Sequence, residues 1–237
     1  MTTQQRPGRT PWRAAFLALA AFGVIAGVAW ALLGSRLLVV RSVTVTGTHL
    51  VPAAEVAAAA DVPLGTPLVR VNTGQVARRV EGIRQVASAT VTKDWPDGLT
   101  ITVRERTPVV AVRMTGGGYD LVDPTGVIVR WVAVKPAAMP LYQATVSGGA
   151  LRGDPGLTTA AAVLSELPSW LRTTVVSTAA TQPAGGASQV TLRLRDGKTV
   201  LWGGTDRAAE KGRELAILIR GPARYYDVSA PGTVVTR

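Results

Sequence analysis

The chain has no cysteine and a single histidine, His49, among its 237 residues. That excludes disulfides, thiol nucleophiles and thiolate metal sites, and one imidazole is too few for a histidine metal centre or proton relay. Aromatic residues make up 5% of the chain and do not interleave with the basic ones. A nucleic-acid surface needs stacking rings beside clustered cations, so no nucleic-acid partner is expected. Acidic residues are scarce, with 15 Asp and Glu against 26 Lys and Arg, 22 of them Arg. The motifs G-x-S-x-G, S-x-x-K, H-E-x-x-H and the P-loop are all missing. Asp206, Glu210 and Glu214 recur every four residues, but Arg207, Lys211 and Arg213 interleave with them. That pattern predicts a salt-bridged, solvated helix rather than a metal site. With no nucleophile paired to a base and no cofactor motif, the chain reads as a non-enzyme without cofactor or metal.

What the chain does have is one long apolar run. Ala14 to Leu33 holds twenty residues without a charge or a proline. As a helix it is about 30 Å long, the thickness of a bilayer's hydrocarbon core. It exceeds the apolar core of a cleaved signal peptide, and Trp30, Leu32 and Leu33 stand where small residues should precede a cleavage site. It is apolar on every face, unlike a surface helix of a soluble domain. Arg6, Arg9 and Arg13 precede it and favour an inside N-terminus; Arg36 and Arg41 follow. The expectation is a cytoplasmic tail over 1–13, a transmembrane helix over 14–33, and the rest of the chain outside the cytoplasmic membrane.

Beyond that run, Val43 and Val45 alternate with Ser42, Thr44 and Thr46, predicting a half-buried strand ended by Gly47. Pro52 opens a first helix and Asn72 caps a second, on which Val76, Val80 and Ile83 form one stripe. Val86 to Val112 then reads as a hairpin around Trp95-Pro96-Asp97-Gly98. Ala87, Ala89 and Val91 share one face of its first strand, and Leu99, Ile101 and Val103 one face of its second. Trp95 is expected to fold back onto the sheet with Pro96, Glu105 to be an ordinary strand charge, and His49 to be a surface residue. The order strand, helix, helix, strand, strand closes a core in about 70 residues.

From Pro108 onward short strands alternate with two helices. One begins at Asp154-Pro155 and stops before Pro168; the other is capped by Thr205 or Asp206 and runs to about Ile219, with Ala208, Leu215, Ile217, Leu218 and Ile219 as core candidates. Tyr225 to Ser229 leads through Pro231-Gly232 to a last strand, Thr233–Thr236. The fold class is therefore α+β: one transmembrane helix, a β-α-α-β-β domain over 38–107, and a mixed β domain with two helices over 108–237.

Three stretches carry a family resemblance: Val40–Gly47, Leu64–Asn72, and the Trp-Pro turn followed by Val-x-Glu-Arg-x-Pro at Val103 to Pro108. Together with the element order they resemble the POTRA domain of the bacterial cell-division family FtsQ/DivIB, and the ending at Tyr225 to Thr236 resembles that family's β domain. Gly82-Ile83-Arg84 departs from the family's pattern. The resemblance implies a non-enzymatic divisome scaffold for septal wall synthesis, with FtsB-like and FtsL-like bitopic proteins as partners. It also implies a partner site made by strand addition at the end of the β domain. Transferred by motif, that site is Tyr225, Tyr226, Asp227, Val228, Ser229, Gly232, Thr233, Val234, Val235 and Thr236, with Thr233–Thr236 as the edge. Tyr225 and Tyr226 are candidate anchors, Arg220 and Arg224 would attract an acidic segment, and Val234→Pro is expected to weaken binding. The alternative is a POTRA-bearing membrane assembly or secretion factor.

Overall fold

The computed structural model describes residues 11–34, 38–143, 153–182, 186–230, 232 and 235–236. It separates into two compact units, Met1–Glu105 and Arg106–Arg237.

The first unit opens with helix α1, Pro11–Gly34, which contains the expected span. Phe16, Leu17, Leu19, Phe22, Val24, Ile25 and Val28 are all exposed along it. Over the residues whose side chains are described, no helix is long and apolar enough to cross a membrane. Arg6 and Arg9 of the expected tail, and Arg36, lie outside the described residues.

Then come β1 (Ser42–Thr46), α2 (Ala53–Ala60), a 3₁₀ turn at Leu68–Arg70, α3 (Thr73–Glu81), β2 (Val86–Asp94) and β3 (Gly98–Glu105). The sheet order is β1-β3-β2, with β1 parallel and β2 antiparallel to the central β3. The two helices return the chain so that β1 and β3 can run parallel. Asn72 caps α3 by accepting from Gln75 N at 3.1 Å. The core joins Val56 and Ala60 of α2, Val76 and Val80 of α3, and Leu99, Ile101 and Val103 of β3.

Three details differ from expectation. Val86 pairs with Glu105 and Ser88 with Arg104, so Ala87 is the extra residue of a β-bulge. The bulge reverses the alternation there, and Val86 rather than Ala87 enters the core. Trp95 remains 56% exposed instead of covering the sheet. Glu105 is more than strand charge: its Oε1 accepts the backbone N–H groups of His49, Leu50 and Val51 at 2.8, 2.7 and 2.9 Å. Burial pushes the Glu105 carboxyl up, but the donors at Val51, His49 and Leu50 outweigh it and hold the group below its usual value. His49 is a surface side chain, 4.0 Å from Glu105 Oε2.

In the second unit the strands are β4 (Val110–Arg113), β5 (Tyr119–Val122), β6 (Ile128–Val132), β7 (Leu141–Tyr142), β8 (Val175–Thr181), β9 (Gln189–Leu194), β10 (Thr199–Gly203), β11 (Tyr225–Asp227) and β12 (Val235–Thr236). They form one sheet in the order β12-β11-β10-β9-β8-β7-β4-β5-β6. Helix α4 (Pro155–Glu166) starts at Asp154, whose side chain accepts from Gly156 N at 2.9 Å. A one-turn helix α5 (Ser169–Arg172) follows Pro168, so among the described residues this unit has three helices rather than the expected two. The third, α6 (Ala208–Leu218), has Arg207 at its N-cap with φ 49° and no side-chain cap; neither Thr205 nor Asp206 caps it. Leu215 is fully buried and Ala208, Leu218 and Ile219 pack against the core, but Ile217 is 76% exposed and faces solvent. Arg106 Nη1 donates to Asp123 Oδ2 at 2.7 Å, and Asp123 Oδ1 also accepts from Thr125 N and Val127 N around the Gly126 turn. Burial raises the Asp123 carboxyl, yet Arg106 and these turn donors bring it below its usual range.

Glu105 is thus tied into the first unit and Arg106 into the second. The Val-x-Glu-Arg-x-Pro signature is a pair of anchors at the division between the units.

Candidate partner-binding edge

Alternation along β11 sorts the residues of the candidate site. Thr199 N donates to Arg224 O and Val228 N to Leu201 O, both at 2.9 Å, so alternate residues of this segment, Arg224, Tyr226 and Val228, direct their backbone groups to β10. Tyr225 and Asp227 accordingly direct theirs to β12. In the antiparallel register Asp227 stands opposite Val235 and Tyr226 opposite Thr236. Asp227–Val235 is thus the hydrogen-bonded pair, and the N–H and C=O of Thr236 point away from β11, out of the sheet. Among the described residues no strand covers that side.

Side chains divide by the same parity. Tyr226 and Val228 are fully buried with Val200, Trp202 and Leu215. The Tyr226 hydroxyl donates to Gly221 O at 3.1 Å and Ala223 O at 2.9 Å. Neither Tyr226 nor Val228 can offer its side chain to a partner; both hold the edge from inside. Tyr225 is half-buried on the other face, and Val235 and Thr236 are exposed. Asp227 Oδ1 accepts from Ser229 N at 3.0 Å and Ser229 Oγ at 2.7 Å, which closes the turn after β11. Thr233 and Val234, and with Val234 the expected proline test, lie outside the described residues.

Sequence reasoning missed two supports. Gly203 ends β10 with φ +77°, and a Cβ there would stand 3.0 Å from Ser229 Cβ, so glycine lets the segment after β11 lie against β10. Glu214 on α6 accepts the N–H of Gly232 at 3.1 Å and ties the β11–β12 connection to the helix. The rest of the expected acidic row is separate: Asp206 Oδ1 meets Lys211 Nζ at 3.1 Å, and Glu210 lies 3.9 Å from Arg207. Lys211 is fully buried, not solvated as its charge suggested. Among the described residues no group of three His, Cys, Asp or Glu could hold a metal ion. Glu214→Ala should release the connection, lowering the unit's stability by about 1 kcal/mol and weakening partner binding several-fold. Glu214→Gln keeps the acceptor and should lose less. Urea melts and calorimetry on the two variants check this.

Residues 38–106 match the family model described as POTRA domain, FtsQ-type. Cell division protein FtsQ of Mycobacterium leprae is 43% identical, covering 86% of this chain and 58% of its own length. Its counterpart in Mycobacterium tuberculosis strain H37Rv is 38% identical over 92% of this chain and 66% of that protein, so the chain spans under two thirds of these mycobacterial relatives. The FtsQ of Streptomyces venezuelae is 37% identical, over 97% of this chain and 86% of its own. The extracytoplasmic domain of DivIB from Geobacillus stearothermophilus is similar over 49% of this chain and 97% of that one, at 16% identity and a TM-score of 0.35. The POTRA match and the near full-length Streptomyces relative converge on one conclusion: the chain belongs to the FtsQ family of bacterial cell-division proteins.

Proposed function

We propose that the chain is a single-pass membrane scaffold of the divisome that binds FtsB-like and FtsL-like bitopic proteins by strand addition on β12, and that it catalyses nothing itself. Helix α1 supplies the span, with the tail inside and both units outside: its 24 residues reach about 36 Å and its apolar side chains are exposed. The observation that carries the reading is the outward backbone of Thr236 on the open edge. An extended segment laid there satisfies the unpaired N–H and C=O, and the side chains beside the edge select those of the segment. Tyr225 is the aromatic anchor beside that edge. Arg220 and Arg224, both exposed, favour a partner segment with acidic residues.

Thr236→Pro removes the outward donor while leaving the Asp227–Val235 pair intact. It should weaken binding of the FtsB-like partner roughly tenfold, the loss of one hydrogen bond with its geometry, with the melting temperature unchanged. In cells, depletion should give filaments or branched forms without septa that wild-type chain rescues and the proline variant does not. Normal septation on depletion overturns the division role; full rescue by the proline variant overturns the edge.

A further inference from the structure

The first folded residues after α1 are clasped by backbone hydrogen bonds. Gly65 N donates to Val40 O and Val40 N to Thr66 O, both at 2.8 Å, and Leu68 N donates to Leu38 O at 2.9 Å. On the other side Arg41 N donates to Asp97 O at 2.8 Å, in the turn of the β2–β3 hairpin. Lys93 Nζ, just before that turn, reaches Val69 O at 3.4 Å. Residues 38–41, the loop over 63–70 and the hairpin tip therefore form one end of the unit, where β1 and β3 begin and β2 finishes. Glu105, with the N–H groups of His49, Leu50 and Val51 that it holds, marks the opposite end. The eight residues of β3 separate the two ends by about 23 Å. The near end exposes Leu64, Val69 and Trp95. Leu64, at 69%, is the most exposed large apolar side chain of residues 38–105, although its neighbours Val62, Leu68 and Val71 all join the core.

Chain length says what lies against that end. Residues 35–37 alone separate Gly34, where α1 stops, from Leu38, which is at most about 14 Å of extended chain. With α1 across the bilayer, Leu38 stays within that distance of the hydrocarbon boundary, and the headgroups fill about 5–7 Å of it. The clasp holds the exposed loop and hairpin tip to this same short stretch. Their side chains suit the place. An indole has an apolar body and a polar N–H, the combination that collects at membrane–water interfaces, and aliphatic side chains bury at the headgroup–acyl boundary. Charge adds no net pull: residues 38–41, 61–70 and 93–97 carry Arg41, Arg70 and Lys93 against Asp61, Asp94 and Asp97. We propose that this end of the first unit seats on the outer surface of the membrane, with Leu64 and Trp95 inserted among the lipid headgroups and Val69 beside them. The lipid contact then sets the height and tilt of the unit, which the tether alone does not. The inference rests on the proposed function in one respect, that α1 spans the membrane.

The test uses the full-length chain alone in phosphatidylcholine nanodiscs, so that lipid is the only partner present. The chain has no cysteine of its own, and Val24→Cys, Pro63→Cys and Leu50→Cys each place one fluorescent label at an exposed position. Quenching lipids carry a spin label either at the headgroup or near the end of the acyl chain. The label at 24 should be quenched by the deep lipid, the label at 63 by the headgroup lipid, and the label at 50, at the far end of the unit, by neither. Quenching at 63 should persist at about 1 M salt, where attraction between charges is screened beyond roughly 3 Å. Leu64→Ser with Trp95→Ser should lower it several-fold while the melting temperature stays unchanged, since both side chains lie outside the core. No deep quenching at 24 overturns the span and this contact together. Deep quenching at 24 with no more headgroup quenching at 63 than at 50 overturns the contact alone. So does quenching at 63 that the double serine variant leaves intact, or that requires anionic lipid and low salt.

Discussion

Tyr226→Ala should destabilise the second unit by about 3–5 kcal/mol and abolish partner binding with it, whereas Tyr225→Ala, one residue earlier, should cost under about 1 kcal/mol and still weaken the partner roughly tenfold. The contrast follows from strand parity. Tyr226 is fully buried, packed in one cluster with Trp202 and Leu215, and its hydroxyl donates to Gly221 O and Ala223 O. Truncation leaves a ring-sized cavity and two carbonyls short of a donor. Tyr226→Phe isolates the second effect, at about 1 kcal/mol. Tyr225 lies on the other face, half-exposed beside the edge. Thermal melts with partner calorimetry on the three variants separate folding from binding. Equal stability losses for both alanine variants would contradict the assignment of the two faces.

The second large effect belongs to Glu105. Glu105→Ala removes the acceptor shared by the N–H groups of His49, Leu50 and Val51, and Val51 is itself nearly buried. Several charge-assisted hydrogen bonds are lost together, so the first unit should lose about 2–4 kcal/mol. Glu105→Gln keeps a weaker acceptor and should recover part of that. The effect has a pH signature. The unfolded carboxyl titrates near 4.5 and the folded one lower, so the folded state binds fewer protons between the two values. The stabilisation is complete above pH 4.5 and is lost as pH falls through the lowered folded value. Wild-type melting of the first unit should therefore drop steeply below pH 4.5, and the alanine variant should show a flatter curve. Asp123, lowered from 3.8, acts with the same sign in the second unit at somewhat lower pH.

Much of the first unit was legible from periodicity, because each element there buries one face and leaves the other wet. The valines of β1, the Val76–Val80–Ile83 stripe and the alternation of β3 reappear in one core. The bulge at Ala87 was not legible: nothing local distinguishes an extra residue in a run of small side chains, and only pairing with Glu105 and Arg104 reveals it. Glu105 was misread because its partners are backbone N–H groups 54 to 56 positions away, which leave no trace in side-chain patterns. Lys211 was read as solvated because its neighbours in sequence are charged; its buried position comes from the tertiary packing of α6. The two tyrosines could have been sorted in advance. Val228, an apolar residue two positions on, shares the face of Tyr226, and Asp227 and Ser229 share that of Tyr225. The location of the edge rests on the parallel pairing of β10 with β11, which no short-range signal announces.

Amide hydrogen exchange at Thr236 tests the edge most directly. In the free chain its N–H points out of the sheet and should exchange rapidly, while that of Tyr226, bonded toward β10, should be protected. Addition of the extracytoplasmic segment of the FtsB-like partner should slow exchange at Thr236 and leave Tyr226 unchanged. Tight partner binding with Thr236 still exchanging at its free rate would contradict strand addition at this edge.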